Sequence, residues 1–165
     1  MFELAADEWT AIALSIRVSL VATVVATPLA VATAWLLARR DFWGKAALDA
    51  AVHLPLVLPP VVTGYLLLLT FGRRGALGQW LAEVGIVFAF RWTGAALACG
   101  VMAFPLLVRP IRLSLEAVDR RLEQAAATLG AEPWKVFFTV TLPLALPGIV
   151  AGMMLGFAKA LGEFG

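Results

Sequence analysis

The residues able to do chemistry are few and scattered. His53, the one histidine, stands just before a proline-rich run. It suits a proton-binding group or a histidine hydrogen-bonded at a helix end, and the second reading, which needs only a neighbouring carbonyl, is preferred. Lys159 and Glu163 are four residues apart, a spacing that lets them neutralise each other on a helix rather than form a charge relay. Cys99 is the only cysteine and lies in an apolar stretch, so one chain can build neither a disulfide framework nor a thiolate metal site. The sequence holds no paired acids within an apolar stretch, no metal-ligand spacing and no glycine-rich loop followed by Lys-Ser or Lys-Thr. No residue is therefore assigned to catalysis or to a metal.

What must position these groups follows from composition. Of 165 residues, 62% are hydrophobic and 15% charged, and the mean hydropathy is +0.91, against about 45–50% apolar and about 25% charged in soluble domains. A soluble domain, a disordered tail and a disulfide scaffold are excluded on these grounds. Val18 to Ala38, Ala50 to Gly72, Trp92 to Val108 and Val136 to Ala158 contain no Asp, Glu, Lys or Arg. Each is near the roughly 20 residues that a helix needs to cross a bilayer core. The expected fold is an all-α polytopic membrane bundle, a single domain over 1–165, with spans at about 14–38, 48–71, 92–111 and 141–163 and a loop at 112–140.

The net charge of +2 does not indicate nucleic acid, because the basic residues sit between apolar stretches, where topology accounts for them. Arg39, Arg40, Lys45, Arg109, Arg112, Arg120, Arg121 and Lys135 fall in the first and third connections, against Arg73, Arg74 and Arg91 in the second. The first and third connections are accordingly placed in the cytoplasm, with both chain ends outside and Arg17 snorkelling to the outer surface. Met1 to Thr10 holds Glu3, Asp7 and Glu8 but no Lys or Arg, so no signal peptide is expected and the first span is retained. The chain stops at Leu161-Gly162-Glu163-Phe164-Gly165, beside a span and without a polar tail, and is expected to be C-terminally incomplete.

Two patterns depart from plain spans. Pro55, Pro59, Pro60 and Gly64 fall in the second span, where missing amide donors and ring clashes must break or kink the helix. Carbonyls freed at that depth need protein or water partners, so the segment is expected to line a cavity or pack on other helices. A new helix starting near Pro60 would bring its positive end inside the membrane, beside the hydroxyls of Thr63 and Tyr65, which marks Pro59, Pro60, Val61, Val62 and Thr63 as candidates for a translocation pathway. Ser15, Ser19, Thr23 and Thr27 in the first span, and Gly148, Gly152 and Gly156 in the fourth, recur every four residues. Such stripes let helix backbones approach closely in lipid.

In the third connection Leu115, Val118, Leu122, Ala125 and Leu129 predict one apolar stripe along a helix, with a Glu116–Arg120 pair, an end at Gly130 and Pro133 beyond it. A second helical piece is expected from about Trp134 to Leu142-Pro143. Such a helix, turn and helix could lie on lipid or fit a groove in a soluble partner.

Gln124-Ala125-Ala126, Gly130 and Val140-Thr141-Leu142-Pro143, with three and nine residues between them, resemble the cytoplasmic EAA loop of ABC importer permeases. His53 to Tyr65 and Leu161 to Gly165 resemble more narrowly the molybdate (tungstate) branch, and the likeness runs from about Ala11 onward. The resemblance implies a type I importer fold in a bacterial inner membrane and an EAA loop docked on an ATPase subunit through Gln124, Ala125, Ala126 and Gly130. Gln124 stands where the pattern has glutamate, and Glu123 beside it is the candidate to supply that charge; Val140 stands for isoleucine. Also implied are membrane lipid around the spans, a second copy of the permease, an extracytoplasmic solute-binding protein, and ATP with Mg on the partner, this chain binding no cofactor. The competing readings are a permease for another solute such as sulfate, a small membrane enzyme, and a non-transport membrane assembly protein.

Overall fold

A computed structural model describes residues 6–72, 75–83 and 91–163. Arg73, Arg74, Phe164 and Gly165, which entered the readings above, lie outside them. Among the described residues regular structure is helical: α1 (Ala6–Arg39), α2 (Lys45–Val57), α3 (Pro60–Phe71), α4 (Ala76–Glu83), α5 (Trp92–Ala117), α6 (Arg120–Thr128), α7 (Pro133–Val136), a π turn (Phe137–Thr141), α8 (Leu142–Leu144) and α9 (Leu146–Gly162). Two helices, Glu8–Arg39 and Trp92–Ala117, are long and apolar enough to cross a membrane, and two bent pairs raise the number to as many as four.

The core is the mutual packing of α1, α5 and α9. Ala26, Ala30, Ala34 and Leu37 of α1 meet Leu107, Val108, Ile111 and Leu115 of α5 and Ile149 of α9. Small side chains bring the axes together. A Cβ at Gly148 would stand 2.2 Å from Ser114 Cβ, and one at Gly152 would stand 2.9 Å from Leu107 O. Ser19 and Thr23 are buried; Thr23 Oγ1 and Thr27 Oγ1 donate to the carbonyls of Ser19 and Thr23 at 2.8 and 2.7 Å, so the two threonine hydroxyls are satisfied within α1, whereas Ser19 Oγ has no partner among the described residues. Both stripes read in the sequence thus lie in close helix packing. Gly148 faces Ser114 while Cys99 faces Ala160, so α9 runs antiparallel to α5. Arg17 lies over the Trp92 ring at 4.5 Å and Arg39 bonds Val118, so α1 runs parallel to it.

The expected break in the second span is present, and it is sharp. Leu58 and Pro59 are extended, α3 begins at Pro60, and the two helices are turned by 118°. Pro59 and Pro60 carry no amide hydrogen, so no helical bond bridges the gap. The pair still passes from one end of α5 to the other, since α2 is tied to Arg112 and α3 borders a cavity with Arg91, Gly94 and Ala98. A gentler bend of 65° separates α7–α8 from α9. There the π turn, closed by Leu142 N–H on Phe137 O, supplies the wider ring that admits Pro143.

One expectation is corrected. Leu115 and Val118 do not share a helix face with Leu122, Ala125 and Leu129: α5 ends at Ala117, Val118 is extended, and α6 starts afresh. Asp119 drives this, its Oδ1 accepting the Arg121 N–H at 2.9 Å as an N-cap. Leu115 and Val118 are buried in the core, whereas Leu122 and Leu129 are exposed. Glu116 consequently pairs backward with Arg112 at 2.8 Å and not forward with Arg120.

Candidate functional site

The segment from α6 to the π turn hangs at the basic end of the bundle. Helix α6 buries no residue, yet it is closed at both ends: Asp119 caps its start, and its exit is a Schellman turn in which Gly130 N–H bonds Ala127 O at 3.0 Å and Ala131 N–H bonds Ala126 O at 3.2 Å. Gly130 has φ +83°, the left-handed conformation that this turn requires and that glycine adopts freely. Nothing lies within 4 Å of where its Cβ would be, so backbone geometry alone calls for glycine there.

Gln124 and Ala125 are exposed, Ala126 is half-buried and Gly130 is exposed, so these predicted residues share an open surface. It is extended by the exposed apolar side chains of Leu122, Leu129, Trp134 and Phe138. Leu129 is 89% exposed. Lys135 lies over the Trp134 ring at 5.4 Å, and Trp134 Nε1 donates to Glu132 at 2.5 Å. Arg120, Arg121 and Lys135 are exposed on the same segment, and exposed apolar and basic side chains together suit a groove on a partner protein. Leu129 belongs to the stripe that the sequence offers to lipid or to a partner's groove; Trp134 and Phe138 are not singled out there as surface residues, because apolar side chains signal burial.

Glu123 goes elsewhere. Its Oε1 accepts Arg39 Nη2 at 2.8 Å and Thr141 Oγ1 at 2.7 Å, and the same Arg39 nitrogen donates to Val118 O at 3.3 Å. The carboxylate is therefore aimed at the core side of α6, with side-chain exposures of 9% for Arg39 and 23% for Glu123. Phe137 adds an edge contact to Trp35, with ring centroids 6.0 Å apart, fixing the π turn to α1. A second ionic group joins α2 to α5: Asp49 accepts Arg112 Nη1 at 2.9 Å, and Arg112 Nε donates to Glu116.

The proline break contributes differently from what its composition predicts. Pro59, Pro60, Val61 and Val62 are exposed, Val61 at 83%, while Thr63 is buried with its hydroxyl near Pro59 O at 3.5 Å. Two cavities flank the break, and their linings do not include these residues. One, of about 640 Å³, is lined by apolar residues of α1, α2 and α5 such as Val25, Val52, Pro55 and Phe104; the other, of about 260 Å³, lies between α3 and α5 beside Gly64 and Leu68. His53 Nδ1 is 2.8 Å from Asp49 O, the helix-bonded arrangement preferred above. Lys159 and Glu163 form an ion pair at 2.5 Å. No group of three potential metal ligands occurs among the described residues.

Comparison with known proteins gives one consistent result. Residues 26–165 match the family described as binding-protein-dependent transport system inner membrane component. The chain is 60% identical over 159 residues to the molybdenum transport system permease protein ModB of Escherichia coli K12, covering 96% of this chain and 69% of that one. It is 57% identical, with the same coverage, to ModB of Haemophilus influenzae. A probable sulfate transport system permease protein, cysT of Chlorokybus atmophyticus, is 38% identical over 151 residues, covering 92% of this chain and 53% of that one.

Proposed function

The chain belongs to the family of inner-membrane components of binding-protein-dependent transport systems, and from that premise we propose that it is the permease of an ABC importer for molybdate or a similar tetrahedral oxyanion. The carrying observation is the 60% identity with a molybdenum transport permease, maintained over 96% of this chain. The sulfate permease relative, at 38%, favours a second reading in which the anion is sulfate. Both readings use the same machine.

In this reading the surface formed by Gln124, Ala125, Ala126, Gly130 and the exposed Leu129 and Trp134 docks on an ATP-hydrolysing subunit, which holds ATP and Mg. The chain itself hydrolyses nothing. Two copies pair in the membrane, and an extracytoplasmic binding protein delivers the anion. ATP-driven closure of the partner moves α6, and the packed α1–α5–α9 unit rocks so that access alternates between the two sides. An α6 that is capped at both ends but buries nothing suits this task, since it keeps its shape without the core and offers a whole face to a partner. We assign Pro59, Pro60, Val61, Val62 and Thr63 to the pathway wall although they line neither cavity described above, because α3 starts there and a helix start carries the partial positive charge that an anion needs.

The test is purification of the full-length gene product with candidate ATPase subunits, then ATP hydrolysis in liposomes with the binding protein. Stimulation by molybdate but not sulfate is expected. Stimulation by sulfate alone would transfer the assignment to sulfate, and failure of any ATPase subunit to associate would return the chain to an assembly role.

A further inference from the structure

Glu123 adjoins Gln124, the residue that occupies the acidic position of the docking pattern, so the simplest expectation is that Glu123 faces the partner in its place. The geometry is opposed to that. A single oxygen, Oε1, receives protons from Arg39 and Thr141, at 2.8 and 2.7 Å. Arg39 is the last residue of α1, and Thr141 ends the π turn that leads through α8 into α9. The Arg39 nitrogen that binds Glu123 also holds Val118 O, in the extended linker between α5 and α6. One carboxylate thus ties the end of α1 and the π turn that leads toward α9 to a helix that has no core of its own, and Arg39 links the end of α5 to the same point.

The alternatives to this tether are weak. Covalently, α6 is joined to α5 only through the extended Val118 and capping Asp119, and to α7 through the turn at Gly130. Arg39, for its part, is largely buried and its Nε has no partner, so its charge depends on Glu123, the carboxylate paired with it among the described residues. Displacing α6 alone would separate that pair, at the cost of leaving a buried guanidinium uncompensated. Moving α1 and α9 with α6 keeps it intact.

We propose that Glu123 is a positioning residue that transmits displacement of α6 to α1 and α9 through Arg39 and Thr141, and that it does not contact the ATPase subunit. The proposal rests on the reading that α6 docks on such a subunit. The consequence is a division of labour between adjacent residues: Gln124 faces the partner and Glu123 faces the spans.

The experiment reconstitutes the full-length permease with its ATPase subunit and binding protein, and measures complex formation, ATP hydrolysis and molybdate uptake on the same vesicles. Glu123→Gln is expected to keep the affinity for the ATPase subunit within about twofold while lowering molybdate moved per ATP by about tenfold, within the usual range of coupling between sites. Thr141→Val lowers the same ratio by a smaller factor. Glu123→Arg alone abolishes coupling, and the reversed pair Arg39→Glu with Glu123→Arg recovers part of it, which distinguishes transmission from misfolding. The proposal is overturned if Glu123→Gln weakens assembly while the transport ratio holds, since Glu123 would then be a docking residue. It is equally overturned if Glu123→Gln changes neither, or if the reversed pair recovers nothing while still assembling. Failure of the unmodified permease to bind any ATPase subunit would instead remove the docking reading itself.

Discussion

The seam between α5 and α9 and the break between α2 and α3 are both written in glycine, proline and aliphatic residues, yet one is closed and the other open. At the seam, Gly148, Gly152 and Gly156 face α5, and a Cβ on any of them would come within 3.0 Å of a neighbouring atom. At the break, Gly64 has nothing within 4 Å of a built Cβ, and Val61 projects outward. The difference lies in register. Glycines four apart keep one helix face flat, so the backbones approach and gain dispersion contacts that lipid cannot supply better. Prolines four and five residues apart remove the amide donors that would keep a helix straight, and two shorter helices leave at 118°. Small residues therefore mark packing only where the helix carrying them is continuous.

The sharpest way to break this comparison is to add the same atoms on both sides. Gly148→Val places a branched side chain where Ser114 Cβ and Pro110 O already stand, and should destabilise the chain by about 3 kcal/mol or more, as overpacked sites do. Gly64→Ala meets no atom and trades glycine for a better helix former, so stability should change by less than about 1 kcal/mol. Denaturant titration of both full-length variants in detergent decides. Equal losses would mean that the open side of α3 is closed by something else.

How much of this was legible in the sequence divides along the same line. Long apolar helices were readable because a charge-free stretch of membrane length has few other uses, and the break because Pro59 and Pro60 cannot donate. The angle of the break was not readable, since it is set by where α3 finds a surface on α5. In the segment from α6 to the π turn, Gly130 and Pro133 announced the turn, but the periodic Leu115, Val118 and Leu122 concealed that α5 stops. The apolar spacing continues through Val118 while Asp119, an N-cap residue lodged inside that pattern, restarts the helix. The inward role of Glu123 was illegible for a simpler reason: its partner Arg39 is 84 residues away. The sequence holds no local signal that pairs the two, since neither residue lies within a helical turn of the other.

A middle-sized effect is expected at Gly130, where the site has room but the backbone is constrained. Gly130→Ala must hold φ near +83° with a Cβ, which costs about 1–2 kcal/mol, and Gly130→Asn should cost less because asparagine tolerates that region. Hydrogen exchange of the Gly130 and Ala131 amides reads this locally, with protection falling in the order Gly, Asn, Ala. Gly130→Pro goes further, because it also deletes the N–H bonded to Ala127 O. It should abolish ATP-driven uptake while leaving membrane insertion intact. Unchanged uptake would remove Gly130 from the docking site.

The smallest effect belongs to an ion pair that resembles the Glu123 node only in composition. Asp41 and Lys45 lie 2.8 Å apart, but Asp41 is almost fully exposed. The Lys45 hydrogen bond, followed by its charge, holds the Asp41 carboxyl below its ordinary value. A depressed carboxyl contributes stability above its unfolded-state pKa and loses it as pH falls through the folded-state value. Asp41→Asn should therefore be slightly less stable than the parent at pH 7 and low salt, and indistinguishable from it in strong acid or at high salt, where exposed pairs are screened. Glu123→Gln, by contrast, should keep its effect at high salt, because Arg39 is shielded from the ions that screen Lys45. A salt series on the two variants separates a pair that holds helices together from one that merely decorates a loop.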